Sequence, residues 1–442
     1  MATWIGDVFT SDVGWSHLEN LVDVGTRMAG SEGERVAAEL TRDALADAGA
    51  RNARLEPVEI QGWTRGDSEI DAGDDRLECI ALPRSPAETV TGPLVDLGYG
   101  LPADFETADL EGAIVVVRSD VPDYYDRYLH RREKYYHAVE HGAAGFVYRN
   151  HVDGQLPPTG SVGTDDHPIG EIPAVGVSSE TGARLCRRYE DEPVSVAVDA
   201  EIGPAESQNV HAELGPDTNE RVLVTSHIDA HDVAEGALDN AAGTAMVVEL
   251  ANALAAREDD LETRVEFVAY GAEEVGLVGS HHHAETVDLA SIAAVVNNDG
   301  VVGNRTLSLY THGFDDLEAA AETVADRYDH PIETVPRQSP HSDHWPFVAH
   351  GVPGYHVTST SDDRGRGWGH TAADTLEKLE PRDLREQAIL LTDLVVFLAR
   401  EDVTIDRRDR DAIAADLEAE DLATGMRVTG DWPDDDGTGA SR

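Results

Sequence analysis

Side chains of the kind that bind metal ions follow three short apolar runs in the second half of the chain, each where a strand is predicted to end. These side chains are His227 and Asp229, then Glu273 and Glu274, then Asp299. In open α/β sheets ligands gather beyond the C-terminal ends of strands, so we expect these groups to meet at one sheet edge. Two further loops supply Asp239, where a helix opens, and His370, near the end of the chain. The sequence therefore predicts one site formed by five neighbouring loops.

The chemistry of this set suits two closely spaced divalent cations. One bridging carboxylate, with a carboxylate and an imidazole for each ion, leaves positions open for water and substrate, as catalytic zinc requires. Asp239 is the natural bridge, because its loop comes closest to the sheet edge at the start of a helix. Glu273 beside Glu274 provides two acids with separable roles, one of them free for proton transfer. Asp229 would lie behind the imidazole of His227 and orient it.

Other histidines carry a weaker prediction. His281, His282 and His283 are consecutive, and on a helix all three cannot face one ion, so we interpret them as surface residues. His341 and His344 are interpreted as pocket wall rather than as ligands. Isolated acidic pairs are usually solvated in a chain with 86 Asp and Glu residues. The set in the five loops is distinguished by its common position after strands.

The elements that position these loops form three segments. Near the N-terminus, Ser31 is a plausible N-cap for a helix over residues 32–48. From residue 84 to 203 short β-like runs separated by Gly, Pro and acidic turns predict a small β-rich domain of its own. After residue 206 strands and helices alternate, which indicates an α/β sandwich around a largely parallel or mixed sheet. Residues 403–442 are predicted to be a flexible acidic tail.

The charge of the chain limits its partners. The 442 residues include 86 Asp and Glu against 34 Lys and Arg, a formal net charge of −52. Because the acids are spread along the whole sequence, nucleic acids and anionic membranes are excluded as partners. The 34 basic residues include only two lysines, Lys134 and Lys378, so the remaining 32 are arginines. Both features favour a high-salt cytoplasm, where charge repulsion within the fold is screened.

The two cysteines, Cys79 and Cys186, are too few and too far apart to form a disulfide framework. The N-terminus lacks the positive region of a secretory signal, and the longest apolar runs are far shorter than the ~20 residues that span a bilayer. These features predict a cytoplasmic protein.

Taken together, the motifs resemble one known family, the M28 co-catalytic zinc metallopeptidases, which include aminopeptidases and carboxypeptidases. The resemblance covers about residues 15 to 400, and the order and spacing of the motifs agree. Residues 112–117, 141–145 and 172–177 resemble a protease-associated (PA) domain, and residues 227–237 are similar to the carboxypeptidase Q branch. The motifs that carry the resemblance to the peptidases are 226–229, 236–243, 272–274, 298–299, 342–347, 351–353 and 370–375.

The resemblance implies a role for each site residue. His227, Asp239 and Asp299 would bind one zinc ion, and Asp239, Glu274 and His370 the other, with Co²⁺ or Mn²⁺ as alternatives. Glu273 would be the general base and Asp229 the support of His227. Residues 1–83 and 204–402 would be the split catalytic domain, a zinc-exopeptidase α/β/α sandwich with a mixed, largely parallel sheet, and residues 84–203 would be the inserted PA domain. The tyrosine-type oxyanion donor of the family cannot be assigned, and no motif selects Tyr310 or Tyr355 for this role.

The implied function is hydrolysis of peptide bonds at the end of short peptides, with an aminopeptidase as the main prediction. A carboxypeptidase Q-like carboxypeptidase or dipeptidase is the alternative, for which Arg337, Arg364 and Arg366 could bind a terminal carboxylate. A non-catalytic binding protein on the same fold is a third interpretation, opposed by the complete ligand set. The sequence does not decide whether the chain forms a homodimer. No G-x-S-x-G elbow or H-E-x-x-H motif supports a serine hydrolase or a zincin.

Overall fold

The computed structural model describes residues 3–125, 127–164, 167–360 and 367–433. They form two compact units, one made of Met1–Ile60 and Pro204–Ile413 and the other of Gln61–Gly203 and Ala414–Arg442. The second unit thus begins earlier than residue 84, the start that the sequence predicts for the insertion. No described helix is long and apolar enough to cross a membrane.

Helices occur along the whole chain. The predicted N-cap is confirmed, since Ser31 accepts a hydrogen bond from the backbone N–H of Glu34 at 3.1 Å. The helices are α1 Thr3–Phe9, α2 Val13–Asp23, α3 Glu32–Asp47, α4 Pro102–Thr107, α5 Arg131–Glu140, α6 Ser179–Tyr189, α7 Ala242–Ala255, α8 Val278–Thr286, α9 Asp315–Tyr328, α10 Trp345–Val348, α11 Pro381–Leu398, α12 Arg410–Ala419 and α13 Ala423–Thr429.

Two of the strands are much longer than the short β-runs that the sequence suggests, at 22 residues each. The strands are β1 Arg51–Ala72, β2 Asp75–Leu77, β3 Ile80–Ala81, β4 Thr89–Asp96, β5 Ile114–Arg118, β6 Gly145–Arg149, β7 Ala174–Val177, β8 Pro193–Leu214, β9 Arg221–His227, β10 Arg264–Tyr270, β11 Ile292–Asn298, β12 Leu307–Tyr310, β13 Ile332–Val335 and β14 Gly354–Ser359.

The sheet of the first unit is mixed, as predicted. Its order is β13-β12-β14-β11-β9-β10-β8, with β9 parallel to β10 and β11, β11 parallel to β14, and β8 antiparallel to β10. His227 at the end of β9 is in register with Tyr270 at the end of β10, and Asn297 of β11 pairs with Thr225. Because the three strands end level with one another, the loops that follow them begin at one sheet edge.

Helices cover both faces of this sheet, which gives the three-layer sandwich. Helices α7 and α11 pack against β9 and β11 on one face. On the other face Leu223, Val268 and Val295 form a buried cluster with Phe347 of α10, and Ala284 of α8 packs against it. Each buried apolar side chain of this size contributes about 1.5–3 kcal/mol relative to an exposed one, so the central strands are a rigid base for the loops.

The second unit contains four parallel strands in the order β4-β5-β6-β7. Strand β4 also pairs antiparallel with residues 193–197 of β8. The core of this unit contains Phe105, Tyr135 and Phe146. The ammonium of the buried Lys134 donates to three backbone carbonyls, those of Tyr99, Arg118 and Asp120, at 2.8 to 2.9 Å. A compact cation on a flexible stem suits this position better than a planar guanidinium would.

Part of the segment for which the sequence predicts a flexible tail is helical. Helix α13 packs against α5 within the second unit, with Met426 buried. Asp431 pairs with Arg132, and the guanidinium of Arg427 lies 4.2 Å from the ring centre of Trp432. The sequence analysis missed these contacts because the segment is mostly acidic and α12 and α13 each bury only a few apolar side chains.

Candidate active site

His227 and Asp229 occupy the loop that leaves β9, and both are buried. The imidazole Nδ1 of His227 lies 3.0 Å from the backbone carbonyl of Asp229 and 3.6 Å from its carboxylate. The same carboxylate accepts from the backbone N–H groups of Glu273 and Glu274, at 3.0 and 3.1 Å. Asp229 therefore holds the loop after β10 against the loop after β9, a role wider than the predicted support of His227.

Asp239 lies in the turn Ala237–Ala241, directly before α7. The backbone N–H groups of Leu238 and Asp239 donate to the two carboxylate oxygens of Asp374, at 2.8 and 3.1 Å. Asp374 comes four residues after His370, so this carboxylate connects the loop of Asp239 to the loop of His370. The pair of hydrogen bonds holds the backbone of the loop at Asp239.

Asp299 follows β11, and its Oδ2 accepts a hydrogen bond from the hydroxyl of Ser342 at 2.7 Å. Its other oxygen, Oδ1, lies 3.6 Å from Nε2 of His227. Ser342 also accepts a hydrogen bond from Asn297. The predicted ligand is thus fixed in orientation by the residue that begins the 342–347 motif.

The predicted ligands come together as two groups that share Asp239. Its Oδ1 lies 3.4 Å from Nε2 of His227, and its Oδ2 lies 3.0 Å from Nε2 of His370. Nε2 of His370 is also 3.3 Å from the Glu274 carboxylate. With Zn–N and Zn–O distances near 2.0–2.2 Å, two ligands of a tetrahedral ion lie about 3.3 Å apart. The donor set and its spacing therefore fit two ions bridged by Asp239.

Glu273 lies beside the group of His227, Asp239 and Asp299, farther from Nε2 of His227 than the other two carboxylates. Its Oε2 is 3.9 Å from Nε2 of His227, and the side chain is 11 % exposed. His227, Glu273 and Asp299 each offer a donor atom within 4.8 Å of the others. Of the two adjacent acids, Glu273 has the more exposed side chain, at 11 % against 5 % for Glu274.

Electrostatics separate these two acids. Burial raises the pKa of Glu273 well above its usual range, and the carboxylates of Glu274 and Asp299 add to this effect against the opposing His227. Burial acts in the same direction on Glu274, but His231 and His370 overcome it and lower its pKa well below the usual range. The pKa values of the two neighbouring carboxyls are therefore shifted in opposite directions, which suits separate roles as a ligand and a proton-transfer group.

Burial lowers the pKa of His227, yet the surrounding Glu273, Asp229, Asp239 and Asp299 raise it well above the ordinary value. The carboxylates thus stabilise positive charge at this position. A divalent cation would be stabilised by the same field.

Two N-terminal residues hold the site loops in place. The buried guanidinium of Arg27 donates to the carbonyls of Ile228, Glu235 and Gly236, at 2.8 to 3.1 Å. The carboxylate of Glu34 accepts from the backbone N–H of Ala272 at 3.1 Å and from Ser207 at 2.6 Å. Burial raises the pKa of Glu34 to about 8. The sequence predicted the helix that begins after Ser31 but did not predict the contact of this segment with the site.

His231 is a site residue that the sequence analysis did not predict. Its Nε2 lies 2.9 Å from the Glu274 carboxylate, and its ring is perpendicular to that of His370 with centres 4.5 Å apart. His231, Glu274 and His370 offer three donor atoms within 4.8 Å of one another. The spacing of His227, Asp229 and His231, every second residue after a strand, was the signal that could have revealed it.

Other residues from the sequence analysis lie as follows. His344 is buried and stacked between His312 and His356, at 4.7 and 4.9 Å between ring centres, so it is part of the wall. The hydroxyl of Tyr355 donates to the carbonyl of Leu317, which removes it as an oxyanion donor. Tyr310 stacks on His356. Arg337 is exposed, and Arg364 and Arg366 lie outside the described residues.

The three consecutive histidines are not all surface residues, contrary to the interpretation from the sequence. His283 is buried, whereas His281 and His282 are half-buried. The helix α8 turns its third histidine toward the sheet, because residues on a helix separated by one or two positions point in different directions.

The fold and the site define a metal-dependent hydrolase. Comparison with known proteins agrees, since residues 209–395 match peptidase family M28 and residues 90–185 match the PA domain. The chain thus contains a region that matches peptidase family M28 and a region that matches the PA domain, and it is a metallopeptidase.

Several relatives extend over most of the chain. It is 28 % identical over 392 residues to aminopeptidase YwaD of Bacillus subtilis, an alignment that covers 84 % of this chain and 80 % of the relative. It is 26 % identical over 400 residues to carboxypeptidase Q of Bos taurus, covering 85 % and 82 % of the two chains. The crystal structure of a zinc aminopeptidase from Bacillus subtilis has the same fold, with a TM-score of 0.70 at 23 % identity over 90 % of this chain and 97 % of that one.

Proposed function

We propose that the chain is a two-zinc aminopeptidase. His227, Asp239 and Asp299 would hold one ion, and Asp239, Glu274 and His370 the other. The observation that carries this proposal is the position of Asp239, whose two carboxylate oxygens lie near different imidazoles, at 3.4 and 3.0 Å. A single carboxylate with one oxygen toward each of two histidines is the arrangement that a bridging ligand needs. Two additional donors, Asp299 and Glu274, complete the two groups.

When bound, the ions supply Lewis acidity, which polarises the scissile carbonyl and makes water a stronger nucleophile at neutral pH. Glu273 then acts as general base, taking a proton from the attacking water and returning it to the leaving amine. Its backbone N–H is held by Asp229, so the carboxyl is fixed beside the ligand His227. The raised pKa of Glu273 suits a group that must hold a proton between these two steps.

The charge of the site favours the amino end of the substrate. Asp229, Asp239, Glu273, Glu274 and Asp299 carry more negative charge than two divalent ions neutralise, so the pocket attracts an α-ammonium. Arg337, Arg364 and Arg366 are the candidates for binding the terminal carboxylate of a substrate. Arg337, which the structure describes, is exposed and does not belong to either ligand group. The relative named carboxypeptidase Q keeps a carboxypeptidase as the second candidate.

A substrate comparison tests this proposal. We expect an amino-acid p-nitroanilide with a free amine to be hydrolysed, and the same compound with a blocked amine to be inert, because the α-ammonium is the recognised group. A chelator should abolish the activity, and added zinc should restore it. The control is a C-terminally amidated dipeptide with a free N-terminus, which an aminopeptidase should still cleave. Hydrolysis of N-blocked dipeptides with a free carboxylate would instead establish the carboxypeptidase.

We further propose that the enzyme works in a salt-rich cytoplasm. Support comes from the net charge of −52 and the near absence of lysine, and from the two unpaired, buried cysteines Cys79 and Cys186, which suit a reducing compartment. Screening of repulsion between surface carboxylates would then be part of the stability of the fold.

This predicts a salt-dependent stability. Between about 0.1 M and about 1 M KCl the Debye length falls from ~10 to ~3 Å, so the midpoint of thermal unfolding should rise by several degrees or more. Differential scanning fluorimetry measures the shift, and an uncharged osmolyte at matched osmolality is the control for exclusion effects. A melting temperature that is unchanged or falls with KCl would contradict the proposal.

A further inference from the structure

A second group of potential metal ligands lies on the sheet of the first unit, away from the residues assigned to the two zinc ions. His211 of β8 pairs with Val268 of β10, and Glu266 is two residues before Val268 on the same face. His283 of α8 packs over them, with its ring centre 5.1 Å from that of His211. His211, Glu266 and His283 are all buried, at 1 to 5 % exposure. We name these three residues the β8–β10 histidine cluster.

Each member of the cluster also makes a polar contact with a side chain outside the cluster. Nε2 of His211 lies 3.0 Å from the carboxylate of Glu56. Nδ1 of His283 lies 2.8 Å from the hydroxyl of Tyr270. Oε2 of Glu266 accepts from Arg221 at 2.8 Å. Such outer partners, which fix the tautomer and direction of a ligand, are typical of metal sites in proteins.

These contacts leave one donor atom of each residue for a common partner. Nδ1 of His211 and Oε1 of Glu266 lie 3.0 Å apart, and Nε2 of His283 has no hydrogen bond among the residues that the structure describes. One donor atom from each of the three residues lies within 4.8 Å of the others. The two imidazole planes are at 89°. Two imidazoles on one tetrahedral zinc, with Zn–N near 2.0–2.1 Å, place their ring centres about 5 Å apart.

We propose that the β8–β10 histidine cluster binds a third zinc ion, held by His211, Glu266 and His283 with a fourth position for water. Two imidazoles and one carboxylate are a donor set that zinc takes in proteins. The ion would connect β8 and β10 to α8, the helix that begins four residues after Glu274. It would therefore stabilise the loop that carries Glu273 and Glu274, and it would not contact the substrate.

A network without metal explains part of the same geometry. A protonated His211 could pair with both Glu56 and Glu266, while Arg221 balances the second carboxylate. The two interpretations differ at His283. The network needs His283 only as a partner of Tyr270, whereas a zinc ion needs it as a ligand. Burial is the main cause that lowers the pKa of His283 to about 4, so at neutral pH its imidazole is neutral, the form that binds metal.

The variant His283→Gln separates these interpretations, and His282→Gln on the same helix is the matched control. Full-length parent and variants are loaded with zinc chloride, dialysed, and measured for zinc by mass spectrometry. We expect His283→Gln to contain about one zinc ion fewer per chain than the parent and to keep its turnover within about twofold, while His282→Gln matches the parent. Equal zinc content in the parent and His283→Gln would overturn the proposal.

Anomalous diffraction at the zinc edge provides a test that does not depend on a variant. Crystals of the zinc-loaded full-length protein should show a peak between His211, Glu266 and His283. Absence of this peak, with peaks at the catalytic ligands present, would reject the third site and leave the aminopeptidase proposal intact. The reverse result, a peak at the cluster in a protein that hydrolyses no peptide, would reject the proposed function alone.

Discussion

Replacement of Glu273 by Gln should lower kcat by roughly 10²–10⁴-fold, the range in which a positioned general base contributes to turnover. The amide has nearly the same shape as the carboxyl, so the loop after β10 and its hydrogen bonds to Asp229 should be retained. The substituted side chain can no longer take a proton from water. Zinc content should remain that of the parent, because the ligands His227, Asp239, Glu274, Asp299 and His370 are unchanged.

Steady-state kinetics on an amino-acid p-nitroanilide, with metal analysis of the same sample, measures both parts of this result. Glu285→Gln on α8 is the control, since this exposed glutamate makes the same chemical change outside the site. Normal turnover in Glu273→Gln would remove Glu273 from the mechanism. A loss of zinc in this variant would mean that Glu273 is a ligand rather than a base.

Replacement of Asp239 by Ala should reduce both zinc content and activity, with kcat/KM lower by about 10⁴-fold or more, because one carboxylate serves both ions. Its Oδ1 and Oδ2 lie near His227 and His370 respectively, so no single remaining side chain can take its place. The two ions should therefore be lost together as the zinc concentration is lowered, whereas removal of a ligand that serves one ion should leave the other.

Titration of chelated protein with zinc, followed by activity and by metal analysis, gives the affinities. Asp259→Ala, at an exposed acid in the same unit, controls for the loss of one negative charge. If Asp239→Ala bound two ions with parental affinity, the bridging role would be excluded. If it lost one ion only, Asp239 would be a ligand without being a bridge.

The positions of the candidate ligands could be predicted because they depend on a local rule. His227, Glu273, Glu274 and Asp299 each follow an apolar strand, and the strands end level in a parallel sheet. A run of four to seven apolar residues with a polar residue after it is visible in one sequence. Hence the loops that meet at the sheet edge, and the mixed α/β class, follow from periodicity alone.

What could not be predicted depends on distant partners. The contact of Arg27 with Glu235 and Gly236 joins residues about two hundred positions apart, and no local pattern encodes it. The strand β1 contains Pro57, Gly62 and Gly66, which are signals for turns, yet it is one strand that pairs with β2 and β8. His283 and Met426 are buried by elements that lie far away in sequence. The residues next to them in sequence are polar or acidic, so the sequence predicted a surface histidine and a flexible tail.

The hydrogen bonds of Arg27 and Glu34 have a consequence for the chain before it has acquired metal. They connect α2 and α3 to the loops of Asp229, Asp239 and Glu273, so the free energy of metal binding also stabilises this N-terminal segment. Without metal, the repulsion among the site carboxylates would weaken the same hydrogen bonds, so we expect residues 24–31 to open more often. Proteases cleave transiently open segments. We therefore expect limited proteolysis to cut metal-free protein within this segment faster than zinc-loaded protein.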